Sequence, residues 1–406
     1  MNAPCDVNED GSSPFRFIEF TAYILFGLGP FVGNAVLTLL GAVSSSFLVD
    51  PTAVLVALPA FMFPFAIFQL FSGAISDIYG RVQVIVAGLI IFIVGLFLIS
   101  FSVSIEMFAL GNLVAGVGFG FVNPVLLALL SDCAGPEDIP KRMGIAAGLA
   151  SLGVGLGPFF AGVMVRFGWQ YYYMIMLVLV VFGLISISTA RRPEKRTHGE
   201  TGVRALASHL RIELRKPVVL LMLVSTFVIT ISYLGTMVWT SRGLTGVIDE
   251  TLIGLILLGG GVFGGTAGLS LGRLIRFRGS GFSMLIGSLA LYSSLLILIV
   301  INISLPSSVP IIAVAIALVG FAGGILFPLM IAFSQVLSPE RRGVLAGAIT
   351  FSSFFGVALI PSIYEPLFEI SMTSVYTGIL VLSLLLLVFL PVLNRKVSLT
   401  RNINDS

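Results

Sequence analysis

The chain has 406 residues, of which 57% are hydrophobic and only 10% are charged, and its formal net charge is +3. Soluble proteins carry about 25% charged residues, so this chain has too few of them to cover its surface in water. The small, scattered net charge excludes a nucleic-acid-binding protein. Soluble enzymes and secreted domains are excluded as well, which leaves an integral membrane protein whose main partner is the lipid bilayer.

The N-terminal segment, the two cysteines and the two histidines indicate no catalytic or metal-binding site. The first fifteen residues are polar and mildly acidic, without the basic segment of a cleaved signal peptide, so we interpret the first apolar segment as a retained span. The two cysteines, Cys5 and Cys133, form no pairing pattern. The two histidines, His198 and His209, lie outside the apolar segments. We therefore expect no metal site within the membrane and no cofactor.

Long runs without charge define the predicted membrane spans. A helix needs about 20 apolar residues to cross the hydrocarbon core, and a charge at its centre costs about 2.5 kcal/mol or more. One run, 279–339, is long enough for two helices and is interrupted at Asn302–Pro310, so the sequence predicts twelve spans. The runs are 20–49, 51–76, 82–105, 107–131, 143–165, 167–190, 217–241, 251–272, 279–339, 343–364 and 370–394.

Basic residues predict the orientation of the chain. With the N-terminus inside, the cytoplasmic segments hold 20 of the 22 lysines and arginines, whereas the opposite face holds only Arg166 and Arg242. This distribution follows the positive-inside rule. It predicts a multi-pass protein of the cell (inner) membrane with both termini in the cytoplasm.

Residues 191–216 form the only long charged segment in the interior of the chain. They divide the predicted spans into an N-terminal six-helix bundle over 1–190 and a C-terminal six-helix bundle over 217–406. Apolar residues recur in this linker at helical spacing: Val203, Leu206, Leu210 and Leu214. The spacing fits a short amphipathic helix on the inner leaflet, and a solvated linker whose charges only set the topology fits equally well.

The two halves of the chain resemble each other. Three residues of predicted helix 4 recur in predicted helix 10 with the same offset of 204: Gly116, Gly120 and Pro124 correspond to Gly320, Gly324 and Pro328. A single match between glycine-rich membrane helices means little, but several in the same order indicate an internal repeat. Two parallel six-helix repeats that enclose a cavity are typical of transporters.

The short loop between predicted helices 2 and 3 carries the motif GAISDIYGR, residues 73–81. Gly73 permits close helix contact, Gly80 allows a tight turn, and Asp77 and Arg81 place opposite charges one helical turn apart. These four residues resemble the loop signature of the major facilitator superfamily, although the usual second basic residue is missing. The resemblance implies an all-α membrane protein with two pseudo-symmetric six-helix bundles and a transport function.

The resemblance also implies a gate. In this family the loop aspartate faces the N-terminus of helix 11, where backbone N–H groups carry partial positive charge. An acid at the end of helix 4 often joins this contact. Asp77 and Asp132 match the two positions, and the contact would lock the halves together on the cytoplasmic side. Without it, Asp77 and Arg81 would form an exposed ion pair that contributes about 0–1 kcal/mol.

Predicted helix 5 carries a second motif, GVGLGPFFAG, at 153–162. Its Gly153, Gly157, Pro158 and Gly162 resemble the helix 5 signature of the drug–proton antiporter branch of the same superfamily, which has 12 helices. Glycines allow close packing against a partner helix, for which the GGGVFGG segment of predicted helix 8 is the candidate. Ordinary small-residue packing, with no bearing on transport, explains the motif as well.

Two features of those antiporters are missing. Asn112 stands where an arginine is usual in helix 4, and the charge-free run between Glu19 and Asp50 leaves no acid inside helix 1. A proton-coupled carrier needs a titratable group whose access alternates. We expect Asp77 and Asp132 to be the first candidates for coupling, because they belong to the gate. Glu19 is the second, although it lies one turn after Arg16 and can pair with it.

The predicted cavity contains polar and aromatic side chains but no fixed charge. A buried amide is costly unless it is hydrogen-bonded, so each such residue either contacts substrate or bonds to another helix. The candidates are Asn34, Gln69, Asn112, Asn123, Tyr233, Trp239 and Gln335. The chain has 33 phenylalanines and 12 methionines, which suits lipophilic or weakly polar ligands.

Together these features predict a secondary transporter that works by alternating access as a monomer. The leading hypothesis is proton-coupled efflux of lipophilic small molecules or drugs. The alternative is a facilitator, or a metabolite or lipid carrier, without proton coupling, which the two missing antiporter features favour. An enzyme would need clustered histidines, cysteines or acids within the spans, and the sequence has none there. A receptor or channel would not require the repeat or the gate.

Overall fold

The structure is a computed structural model that describes residues 14–132, 138–189, 203–301, 308–337 and 342–405. Cys133, His198 and most of the predicted break at Asn302–Pro310 lie outside these ranges. The helices of the described chain are α1 (Pro14–Phe47), α2 (Pro51–Val54), α3 (Ala57–Tyr79), α4 (Arg81–Ser100), α5 (Ile105–Asp132), α6 (Ile139–Met164), α7 (Trp169–Ser188), α8 (Val203–Leu214), α9 (Pro217–Leu244), α10 (Glu250–Val300), α11 (Val309–Leu337), α12 (Arg342–Phe368), α13 (Met372–Ser383) and α14 (Leu386–Asp405).

Ten helical segments of the described residues are long and apolar enough to cross a membrane. One of them, α10, holds two crossings and α6 adds one more, which gives the predicted twelve. α2 and α3 together make one crossing, and α13 with the start of α14 makes another. α10 is 51 residues long and contains two crossings, because Gly279 adopts a φ of 83° that breaks the helix between them. Only glycine takes this backbone conformation without strain, so Gly279 provides the turn between two antiparallel crossings.

The internal repeat appears as matching helix contacts. In the first half, a methyl group added at Gly116 would overlap the carbonyl of Phe61 on α3. In the second half, methyl groups added at Gly320 and Gly324 would overlap the carbonyls of Gly260 and Gly264 on α10. The fourth crossing thus packs on the second, and the tenth on the eighth, through glycines at equivalent positions. The two pseudo-symmetric six-helix bundles are confirmed.

The two ends of the bundle differ in how closely the halves approach. We call the end that carries α8 the linker end, and the end that carries Asp50 the opposite end. At the opposite end, α6 and α10 touch backbone to backbone, since a methyl group added at Gly162 would overlap the carbonyl of Glu250. α1 meets α9 there as well, where the Ser241 hydroxyl donates to the carbonyl of Leu37.

At the linker end the halves are apart. A methyl group added at Gly73 on α3, at Gly148 on α6 or at Gly343 on α12 would meet no heavy atom of the described residues within 4 Å. Close contact between α6 and α10 still exists at Gly155, where an added methyl carbon would lie 3.1 Å from the Cα of Gly261. The halves therefore join at the opposite end and separate toward the linker end.

α8 lies between the halves at the linker end. It contacts α3 of the first half and α12 of the second, and it also touches α9. Glu213 is fully buried and its carboxylate lies 2.9 Å from the Nζ of Lys216. Residues 203–214 are thus helical and packed against protein, whereas their placement on the inner leaflet stays a prediction.

Candidate functional site

The predicted gate residues cluster around one arginine. Gly80 has a φ of 98° and forms the turn between α3 and α4. Arg81 follows directly, and its Nη1 lies 2.6 Å from Oδ1 of Asp77 while its Nε lies 3.0 Å from Oδ2 of Asp132. The carbonyl of Gly73 accepts a further bond of 3.4 Å from Arg81. One guanidinium therefore ties α3, α4 and the end of α5 together.

The Arg81 cluster lies within the first half of the molecule. Its side chains are 22% exposed at Arg81, 27% at Asp77 and 47% at Asp132. Gly343, in the first turn of α12, has open space around it. Because the linker end is open, the implied lock between Asp77 and the N-terminus of helix 11 stays a prediction for a state in which this end closes.

Glu19 forms a second charged contact at the linker end. Its carboxylate lies 3.4 Å from Nε of Arg142 on α6 and accepts a hydrogen bond of 3.2 Å from Tyr23. The sequence suggested Arg16 as its partner, and the Arg16 side chain lies outside what the structure describes. Arg142 is a further partner, which only the tertiary fold brings close. The pair connects α1 to α6, so it too lies within the first half.

The helix 5 motif packs against two helices rather than one. Methyl groups added at Gly153 and Gly157 would press on backbone atoms of α1, at distances of 2.9 Å and 2.6 Å. Gly162 faces α10 instead. The Pro158 carbonyl accepts a hydrogen bond of 2.7 Å from the hydroxyl of Thr38 on α1. The single partner expected from the sequence, helix 8, is thus corrected to two, because the glycines lie on two faces of α6.

Three of the predicted cavity residues form local hydrogen bonds. Asn34 donates to the Pro30 carbonyl and Asn112 to the Phe108 carbonyl, each within its own helix and each at 2.9 Å. Gln335 donates to the neighbouring Ser334 hydroxyl at 3.1 Å. These bonds satisfy one amide hydrogen of each side chain without crossing between helices. Because all three bonds form within one helix, they are evidence neither of substrate contact nor of interhelical bonding.

Two of the other cavity candidates have a buried side-chain nitrogen without a hydrogen-bond partner among the described residues. These atoms are Nε2 of Gln69 and Nε1 of Trp239. The ring centroids of Trp239 and Phe368 are 4.9 Å apart. The Tyr233 ring packs against α11. Asn123 is half-buried on α5. An unpaired buried donor costs about 1–3 kcal/mol, so Gln69 and Trp239 are the stronger ligand candidates.

Sequence reasoning missed two further polar atoms in the same region. The hydroxyls of Ser232 and Tyr364 are buried and lack a partner among the described residues. The Tyr364 ring packs over Gly235, one turn from both Ser232 and Trp239 on α9. The three side chains thus form a group between α9 and α12. A serine in a hydroxyl-rich helix gives no signal by itself, so only the packing identifies it.

A contact between the halves was also missed. Arg242, on α9, donates to the hydroxyl of Thr52 at 2.9 Å and to Oδ1 of Asp50 at 3.3 Å, and its guanidinium lies 5.0 Å from the ring centre of Phe368. In the sequence Asp50 is only the end of the first charge-free run. Its side chain is 66% exposed, yet it bridges the first half to the second. We call Asp50, Thr52 and Arg242 the opposite-end latch.

The Asp50 carboxylate is charged at physiological pH. Hydrogen bonds from the backbone and hydroxyl of Thr52, with the Arg242 guanidinium nearby, hold its pKa below the ordinary value. A lowered pKa means that the contribution to stability is present above the unfolded value of about 3.9 and is lost only as the pH falls through the folded value. The latch is therefore constant between about pH 5 and 8 and does not act as a proton switch there.

Breaking the latch is expected to loosen the opposite end. Arg242→Gln and Asp50→Asn should each lower the equilibrium constant for closure at this end by about 1.4- to 5-fold, since an exposed pair contributes about 0.2–1 kcal/mol. The double variant should add little to either single variant. Spin-label distances across the opposite end measure the populations.

Arg166→Gln is the matched control, because Arg166 is an exposed arginine near the same end. An equal shift in the control, or additive effects of Arg242→Gln and Asp50→Asn, would show that the ion pair does not hold the halves together.

The halves also meet through phenylalanine rings. Phe65 on α3 lies 4.6 Å from Phe354 on α12, and Phe63 lies 5.5 Å from Phe355, measured between ring centroids. Both contacts are edge-to-face, which is the favoured geometry of aromatic pairs. Apolar, aromatic contacts therefore join the halves in the middle of the bundle.

These features define a class of protein. A helical membrane protein with two related six-helix halves, closed together at one end and apart at the other, has the architecture of a secondary transporter. The chain belongs to the Major Facilitator Superfamily, whose sequence pattern it matches over residues 20–361. It is thus a multi-pass membrane transporter, not an enzyme.

Relatives agree with this family, and a solved structure agrees with the fold. The chain is 28% identical over 323 residues to the uncharacterized MFS-type transporter YceJ of Bacillus subtilis, which covers 76% of this chain and 78% of YceJ. It is 21% identical to the chloramphenicol resistance protein CraA of Acinetobacter baumannii, over 83% of each chain. The crystal structure of the nucleoside transporter NupG superposes with a TM-score of 0.75 at 12% identity, over 92% of this chain and 99% of NupG.

Proposed function

We propose that this transporter exports lipophilic small molecules by alternating access. The observation that carries the proposal is the asymmetry between the two ends of the bundle. Glycine-mediated contact and the latch close the opposite end, whereas Gly73, Gly148 and Gly343 are open at the linker end. A cavity reached from one side only is one of the two states that alternating access requires.

The distribution of basic residues supports export toward the opposite end. The linker end carries Arg81, Arg142 and the basic residues of α8, so the positive-inside rule places it in the cytoplasm. We propose that both termini are cytoplasmic and that the two bundles, 1–190 and 217–406, move as units about the linker 191–216. The open end between the halves then faces the cytoplasm, and substrate enters from there.

The chemistry between the halves supports a lipophilic substrate. The phenylalanine pairs of α3 and α12 are apolar, and the described carboxylates and basic groups lie near the ends of the membrane crossings. Unpaired donors at Gln69 and Trp239 supply a few hydrogen bonds, as weakly polar ligands require. The relative CraA is named for chloramphenicol resistance, and chloramphenicol is a compound of this class.

Proton coupling is proposed through the Arg81 cluster. Asp77 and Asp132 share one guanidinium, so protonation of either leaves Arg81 with a single charged partner. This loosens the connection between α3 and α5 at the end that has to close. The Glu19–Arg142 pair is the second candidate, because it connects α1 to α6 at the same end.

The alternative is a facilitator without proton coupling, and one observation favours it. The described carboxylates lie at helix ends, with Glu19, Asp77 and Asp132 at the linker end and Asp50 opposite. A coupling acid usually lies beside the cavity, where its access to the two sides alternates.

Transport in proteoliposomes separates these functions. Chloramphenicol is the first probe, and a pH gradient is imposed across the vesicles after reconstitution. Accumulation above the external concentration that reverses when the gradient is reversed is the result expected for proton-coupled transport. Faster equilibration than in protein-free vesicles, without accumulation in either gradient, would support the facilitator. Rates equal to those of protein-free vesicles for chloramphenicol and for lipophilic dyes would contradict the proposed substrate class.

A further inference from the structure

A cavity lies at the linker end, between the first half and the second. Its volume is about 480 Å³, and α8 forms one of its walls. The other walls come from α3 of the first half and α12 of the second. Apart from two arginines its lining is apolar, and it includes Leu70, Leu210, Leu214, Val344 and Gly347. An apolar cavity of this size takes a hydrocarbon chain readily.

The two arginines that line this cavity are Arg211 and Arg215. They are four positions apart and exposed, and neither has an ion pair or hydrogen bond to another side chain in the described chain. Two other arginines at this end are paired, Arg81 with Asp77 and Arg142 with Glu19. Like charges one helical turn apart repel each other, so an anion between them would remove a repulsion.

The depth of the cavity matches the boundary between hydrocarbon and headgroups. The crossing formed by α9 begins at Pro217, directly after Arg215. Gly343 and Gly347 lie in the first two turns of α12, where another crossing starts. The arginines therefore lie at the level of lipid phosphates, and the apolar walls extend from there into the membrane.

We propose that this cavity binds an anionic phospholipid. Arg211 and Arg215 hold its phosphate, to which guanidinium groups bind in bidentate geometry, and Leu210 and Leu214 contact its acyl chain. The lipid touches α3, α8 and α12 at once. Because the halves are apart at this end, a lipid that contacts both stabilises the conformation seen here. The proposal does not depend on the substrate or on proton coupling.

Native mass spectrometry of the full-length protein in detergent tests the proposal. Titration with dioleoyl phosphatidylglycerol is expected to give one tightly held lipid, and dioleoyl phosphatidylcholine to bind much more weakly. Each basic residue near an anionic surface contributes about 1 kcal/mol, so the double variant Arg211→Gln/Arg215→Gln should bind phosphatidylglycerol about 30-fold more weakly. Millimolar inorganic phosphate should not displace the lipid, since it lacks an acyl chain.

Two controls separate a specific cavity from general attraction to charge. Arg276→Gln/Arg395→Gln removes the same charge from exposed arginines outside the cavity lining and should leave binding unchanged. Gly343→Leu keeps both cavity arginines and fills the cavity. Its fold should persist, because no heavy atom in the part of the chain that the structure describes lies within 4 Å of the added Cβ. The Gly343→Leu variant should therefore lose the bound lipid, as the double arginine variant does.

Three results would overturn the proposal. Equal losses in the two arginine pairs would show binding by overall charge. Retention of the lipid in Gly343→Leu would place it elsewhere. Displacement of the lipid by inorganic phosphate would identify a simple anion site.

Discussion

Gly162→Ala is expected to abolish transport. The added methyl group would overlap the carbonyl of Glu250, so α6 and α10 could no longer touch at the opposite end. Overpacking of this kind costs about 1–3 kcal/mol, which moves a two-state population by about 5- to 150-fold. The state closed at the opposite end should become rare, and a carrier that cannot close one end does not cycle.

The measurement combines transport in proteoliposomes with spin-label distances across the opposite end. After Cys5 and Cys133 are replaced with serine, labels at Val103→Cys and Ile370→Cys report from exposed loops of the first and second halves. The long-distance population should increase in Gly162→Ala.

Gly259→Ala is the matched control for Gly162→Ala. Gly259 also lies in a membrane-spanning helix, α10, but a methyl group there would meet no heavy atom within 4 Å among the described residues. The control should transport normally and show the distances of the parent protein. If Gly162→Ala transports as well as Gly259→Ala does, then closure at this contact is not required for transport.

Asp77→Asn is expected to eliminate transport while the protein remains folded and inserted. Asparagine has the same shape as aspartate, but it removes one of the two carboxylates that hold Arg81, at 2.6 Å. If the pair were only a surface ion pair, its loss would cost about 0–1 kcal/mol of stability and little activity. If Asp77 belongs to a gate, transport should fall by far more than stability does.

Asp138→Asn provides the comparison for Asp77→Asn. Asp138 is an exposed carboxylate at the start of α6, near the same end, whose side chain forms no hydrogen bond to the helix N-terminus. It should show full transport and an unchanged melting temperature. Transport at the wild-type rate in Asp77→Asn would contradict the proposed gate. It would also contradict the main argument for proton coupling through the Arg81 cluster.

Local sequence patterns predicted much of the fold and part of the site. Charge-free runs predicted twelve crossings, because the cost of a charge in lipid acts on each residue separately. The repeat predicted that Gly116 and Gly320 would be equivalent, and both pack on a neighbouring crossing. Asp77 and Arg81 were predicted to be adjacent because they are four positions apart on one chain segment.

Contacts between distant segments could not be predicted in this way. Asp50 and Arg242 are separated by 192 positions, and each taken singly is an ordinary charge at a helix end. Gly153 and Gly162 belong to one motif, yet they face α1 and α10 respectively. A motif indicates that a helix packs closely but does not identify the neighbour, because that depends on how all the crossings are arranged.

The sequence by itself determined that this chain crosses a membrane twelve times as two related halves, with a charged linker between them. Those properties follow from the burial of each residue in lipid, which depends on the residue and its near neighbours. Only the tertiary structure decided which end of the bundle is closed, which arginine joins the halves, and where α8 encloses a cavity. Those properties depend on distances between segments that are far apart in the chain, which are set by the packing of whole helices.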